Sequence, residues 1–143
     1  MYLIILLPLI SGFIAQGLKL LIKSNRKTKL KNFLVTYSGM PSGHSASVVS
    51  LAVISGLREG FESSAFAISL ILAIIVIRDA LGIRRYLGEH GKTLNILVHD
   101  LKDDDVLEKR YPHLLEEIGH TPAQVAVGSS IGLAVSLIGH FMF

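Results

Sequence analysis

Tyr2-Leu3-Ile4-Ile5-Leu6-Leu7-Pro8-Leu9-Ile10-Ser11-Gly12-Phe13-Ile14-Ala15-Gln16-Gly17-Leu18-Lys19-Leu20-Leu21-Ile22 is an almost unbroken apolar run. At ~1.5 Å per helical residue it is long enough to cross a hydrocarbon core of ~30 Å. No basic residue precedes Leu9 and no small-x-small cleavage site follows, so the run reads as a retained transmembrane helix rather than a leader. Gln16 and Lys19 fall in its last two turns. Lys19 there either snorkels to the interface or turns inward to a site.

The rest of the chain repeats the pattern. Half of the 143 residues are apolar and only 17% are charged, against about a quarter in soluble domains; mean hydropathy is +0.54. The absence of cysteine excludes disulfides and thiolate metal sites. Further apolar blocks occupy about 42–57, 65–82 and 121–143. Thr121-Pro122 supplies a cap and a good first helical residue for the last block. Gly128 and Gly132 within it form a small-x-x-x-small pair, a site of close helix packing and a candidate homo-oligomer contact. Between the third and fourth blocks, residues 83–120 are polar. Leu94, Leu97, Val98 and Leu101 there predict an amphipathic helix on the membrane surface or against the bundle. A short helix over 114–118 is expected to lead into Gly119-His120. The expected fold is therefore all-α: one domain over 1–143, an integral membrane bundle of about four transmembrane helices plus an amphipathic cytoplasmic helical segment.

Charge orients the bundle. Lys23, Arg26, Lys27, Lys29 and Lys31 have no acidic residue among them, which marks a cytoplasmic loop lying against anionic lipid; the plasma membrane is the expected location. Membrane lipids are the implied partners, with no nucleic acid. Four crossings then bring Lys19, the turn at 42–44, the stretch 79–85 and His120 to the same cytoplasmic face.

Those residues suit phosphoryl transfer. Tyr37-Ser38-Gly39-Met40-Pro41-Ser42-Gly43-His44-Ser45-Ala46-Ser47 reads as a loop opening onto a helix, with Pro41 in its first turn and Ser42 or Ser45 as the cap. The orphan amides and dipole of a helix start attract an anion, and Gly43 lets it approach the backbone. Lys19, Arg84 and Arg85 supply positive charge, arginine through paired hydrogen bonds. Of His44 and His120, one would act neutral as nucleophile and the other protonated as acid. Asp79 and Glu89 are candidates for setting those states. Plainer roles exist for each: Arg84 and Arg85 as interfacial anchors, Asp79 in a salt bridge with Arg78 or Arg85, Glu89 paired with Arg85 at i, i+4. Asp103, Asp104 and Asp105, with His99 and His113, read as a solvated helix end; no metal is expected.

Pro41-Ser42-Gly43-His44 resembles the second signature of the type 2 phosphatidic acid phosphatase and vanadium haloperoxidase superfamily. His120, with Gln124-Val125 and Gly128-x-x-x-Gly132 behind it, is similar to the third. Together with Asp79-x-x-Gly82-x-Arg84-Arg85 and Gly119-His120-Thr121-Pro122, the chain resembles the superfamily's divergent branch of small membrane proteins. The resemblance implies a membrane-embedded phosphatase without cofactor, acting on a lipid or isoprenoid phosphate or diphosphate. It implies His120 as the nucleophile forming a phosphohistidine, His44 as the acid, and the Ser42 and Gly43 amides as a phosphate cradle. The first signature, Lys-x6-Arg-Pro, has no match. Leu114 stands where an arginine is expected, and Gln124 where an aspartate orients the nucleophile. These departures leave a non-catalytic lipid-phosphate binder, or a structural membrane protein, as the alternative.

Overall fold

The computed structural model describes residues 2–22, 39–100, 113–116 and 118–143. Among them run α1 (Tyr2–Leu21), α2 (Gly43–Glu59), α3 (Ser64–Leu81), α4 (Ile83–Asp100) and α5 (Pro122–Met142), with no strand. The basic loop from Lys23 to Lys31, Tyr37, Ser38, Leu101 and Asp103 to Asp105 lie outside the described residues.

Among the described residues, three helical stretches are long and apolar enough to cross a membrane: Tyr2–Leu21, Ser64–Asp100 and Pro122–Met142. In the second of these α3 supplies the apolar part, and α4 continues after a break at Gly82. Large apolar side chains on these helices, such as Ile68, Ile71 and Ile75 of α3, stand exposed on the outside. The protein is an all-helical integral membrane protein.

At its centre lies α2, against which α1, α3 and α5 all pack. It has 17 residues, about 25 Å of helix. Its buried positions are Ser45, Ala46, Ser50, Ala52, Ile54, Ser55 and Gly56, only one of them a large side chain. This suits a bundle in lipid. Hydrocarbon tails are as apolar as leucine, so helices gain little from burying aliphatic surface and rely on close backbone approach and interhelical hydrogen bonds.

Both devices are present. A Cβ at Gly128 would overlap the Ser42 carbonyl, and one at Gly132 would overlap the Ala46 carbonyl. The Ser50 and Ser136 hydroxyls lie 2.7 Å apart, and Ser136 Oγ also donates to the Ser50 carbonyl at 3.0 Å. On the α1 side, Ser11 Oγ donates to the Ala46 carbonyl at 3.1 Å. The expected close packing at Gly128 and Gly132 is thus found, but inside the chain. Because α2 covers that face, a homo-oligomer cannot use it.

Residues 113–116 and 118 are not helical, contrary to the expected short helix. The Asn95 side chain of α4 takes their backbone instead: its Oδ1 accepts from the Leu114 N–H and its Nδ2 donates to the Leu114 carbonyl, each at 2.9 Å. The carbonyls of Leu115 and Glu116 then lie directly over Gly91 and Gly88 of α4, leaving no room for side chains there.

Gly132→Leu would force a side chain against backbone that cannot yield. A loss of about 3 kcal/mol or more is expected, read as a large fall in the thermal unfolding midpoint in detergent, whereas Ser136→Ala should cost only about 0.6 kcal/mol.

Candidate active site

Each helix delivers one polar group to the same end of the bundle. Lys19, in the last turn of α1, is buried at 6% exposure. His44 is the second residue of α2 and is exposed. Asp79 and Arg84 stand on either side of the α3–α4 break, joined by a 2.5 Å bond from Arg84 Nε to Asp79 Oδ2. His120, immediately before the cap of α5, is 5% exposed.

Backbone contacts hold these groups in place. The Ser42 N–H donates to the Gln124 carbonyl at 3.1 Å, tying the start of α2 to the first turn of α5. The His120 N–H donates to the Ala80 carbonyl at 3.1 Å, tying the approach to α5 to the end of α3. Gly119 makes this possible: its φ is +96°, and a Cβ would come within 2.8 Å of the Arg85 amide nitrogen.

The result is one electrostatic cluster. The charges of Arg84, Lys19 and Asp79 reach His44, and those of Lys19, His44 and Arg84 reach His120. Burial first, and then these cations, push the His120 imidazole down to about 4. At neutral pH the ring is therefore uncharged. Both of its nitrogens are buried and have no hydrogen-bond partner among the described residues. A buried histidine with no partner is costly unless something else occupies the site.

Residues 2–135 match a family described as Divergent PAP2. The chain belongs to the Divergent PAP2 family. It is also 35% identical over 150 residues to "Uncharacterized membrane protein YuiD" of Bacillus subtilis (strain 168), with 95% of each chain covered. No solved structure matches it.

Several residues take places other than those expected. Pro41 lies ahead of the helix, not in its first turn, because Ser42 is the cap. Ser42 is fully buried; its Oγ accepts from the Ser45 amide at 3.4 Å and from Ser45 Oγ at 2.9 Å. With its N–H given to Gln124, Ser42 has no amide left for an anion. The first-turn amides without an intrahelical partner are those of Gly43 and His44, one residue along from the expected Ser42 and Gly43. Arg85 and Glu89 do not join the cluster: their side chains are exposed and face each other at 3.4 Å.

Gln124 is committed to its own helix. Its Oε1 accepts from the Thr121 N–H at 2.9 Å and its N–H donates to Thr121 Oγ1 at 3.3 Å, a capping box. It does not orient His120. Nor does any described group of three or more His, Cys, Asp or Glu side chains form a metal cluster.

Beside the cluster, a cleft of about 250 Å³ opens between α1 and α2. Lys19, Gln16 and His44 line one part, and Leu9, Gly12 and Phe13 another. Gln16 and Lys19, polar residues near the end of an apolar stretch, were the sequence signals for it. Gly12 gave none, since its use is to meet Ser47 of α2 closely. Asn95, which fixes the segment before His120, likewise stands out only once α4 is folded.

His120 should titrate near pH 4, and Lys19→Met should raise that value by removing a cation that disfavours the imidazolium. NMR of the labelled imidazole checks both the position and the direction. Inorganic phosphate bound in the cluster should raise it further, because an anion favours the protonated ring.

Proposed function

We propose that this protein is a phosphatase of the cytoplasmic face of the plasma membrane, hydrolysing a lipid or isoprenoid phosphate or diphosphate through a phosphohistidine. The observation that carries the reading is His120: a buried, neutral imidazole with both nitrogens unpartnered among the described residues, set in a cationic cluster.

The steps follow from the placement of the groups. The phosphoryl oxygens lie against Lys19, Arg84 and the Gly43 and His44 amides, which neutralise their charge. Asp79 positions Arg84 by their direct bond. A ring nitrogen of His120 attacks phosphorus in line as the ester P–O bond breaks, and the leaving oxygen takes a proton from His44. His44 is exposed at the mouth, where the leaving group departs and water enters. In the second half, His44 accepts a proton from water as that water attacks phosphorus. The P–N bond breaks, its electron pair returns to His120, and inorganic phosphate leaves. The pKa of about 4 keeps the nucleophile neutral through most of the working pH range.

A second reading has its own support. No described carboxylate bonds to the His120 ring, and Gln124 faces its own cap, so the imidazolium lacks its usual counter-charge. A lipid-phosphate binder without turnover fits that feature.

Phosphate release from lipid phosphates in mixed micelles separates the two. Hydrolysis that persists in EDTA, disappears in His120→Ala and falls about 10²–10⁴-fold in His44→Ala supports the enzyme. Its kcat/KM should follow a bell-shaped profile, falling as pH drops through about 4, where His120 gains its proton, and falling again on the alkaline side as His44 loses the proton it donates. Tight vanadate binding with no release supports the binder.

A further inference from the structure

We propose that the cleft between α1 and α2 is a lipid-chain site that admits one hydrocarbon chain next to the phosphate, so that single-chain lipid monophosphates are the preferred ligands. This rests on the phosphate site proposed above and names what enters it.

The cleft is polar at one end and apolar at the other. Leu9, Gly12, Phe13, Gln16 and Lys19 recur at helical spacing, so they form one stripe along α1. From Leu9 to Lys19 the stripe covers ~15 Å of helix. Lys19 and His44 belong to the cationic cluster, while Leu9 and Phe13 are apolar and 54% and 65% exposed. A ligand lying along this stripe places an anionic group in the cluster and a hydrocarbon chain toward the membrane interior. Gln16 sits at the junction, where its buried Oε1 has no partner among the described residues.

Width sets the number of chains. The floor is a close approach of α1 to α2: Gly12 meets Ser47 Oγ without room for a Cβ, and the Gln16 side chain lies over Gly43. The volume of about 250 Å³ is below the ~300–1,000 Å³ usual for small-molecule pockets. It holds a headgroup and the first part of one chain, and a second chain attached to the same headgroup finds no room in it. Selection is steric rather than hydrophobic. A chain leaving the bilayer for the cleft exchanges one apolar surrounding for another and gains little.

The test measures binding and turnover separately. The full chain in nanodiscs is titrated with dodecylphosphonate, which has one chain and no ester to hydrolyse, and binding is followed by thermal shift. Dodecylphosphonate should bind at least about tenfold more tightly than a two-chain phosphonate of matched headgroup. Leu9→Trp, which fills the cleft from an exposed position, should remove that preference. Ile14→Trp, on the opposite side of α1, should keep it. Among substrates, 1-acylglycerol phosphate and farnesyl phosphate should both exceed phosphatidate in kcat/KM, and whichever of the two is faster tells acyl from isoprenoid chains.

Equal binding of one-chain and two-chain phosphonates overturns the proposal, as does a loss that is the same in Leu9→Trp and Ile14→Trp. One-chain preference without any hydrolysis leaves the chain site standing and removes the phosphatase. Hydrolysis without chain preference does the reverse.

Discussion

No side chain stands between α2 and α5 where Gly128 meets the Ser42 carbonyl and Gly132 meets that of Ala46. The rest of the arrangement depends on this approach. It lets the Ser42 N–H reach the Gln124 carbonyl, which fixes the start of one helix against the start of the other. The residue after Ser42 in its cap position opens α2, and His44 follows; the residue before Thr121 in its cap position is His120. Two caps held together thus place two imidazoles at one end of a bundle. A methyl group at either glycine would open the gap and separate them.

The interior shows how a membrane bundle can be held without a large apolar core. Serines fill positions that leucine or isoleucine would take in a soluble protein, and they are satisfied by one another and by backbone carbonyls. The larger apolar side chains face outward instead, where lipid lies. His120 departs from this economy, since its buried nitrogens are left unsatisfied among the described residues while the neighbouring serines are not. That contrast, within one structure, makes a ligand site the better account of His120 than a packing role.

Much of this could be read in the sequence. The apolar blocks gave the helices almost to their ends, because length and hydropathy are strong signals for membrane segments. Thr121-Pro122 gave the cap of α5 for the same local reason. The grouping of Lys19, His44, Asp79, Arg84 and His120 followed from counting crossings. What was not legible depended on partners distant in the chain. Asn95 decides that 113–116 is not a helix, and nothing local to Leu114 reports a clamp nineteen residues earlier. Ser42 was expected to offer its amide to an anion, but that amide belongs to Gln124, a partner that only the packed helices supply. Arg85 and Arg84 are adjacent and chemically equal in sequence. Helix geometry separates them by about 100°, so that one faces Asp79 and the other Glu89.

The proposed nucleophile, His120, has the amide Gln124 at the sequence position where a carboxylate is usual, and this bears on how the proposed site works. In a triad the carboxylate stabilises the imidazolium and fixes the tautomer. Here Gln124 completes a cap, and the charges that reach His120 are all positive. Such surroundings favour the neutral ring before substrate arrives and disfavour protonation of the ring during the reaction. They equally favour an anionic phosphoryl group against it. On the proposed reading, bound phosphate supplies beside His120 the negative charge that Asp79, bonded to Arg84, does not bring to that ring. The positive surroundings of His120 are what support the phosphate site proposed above.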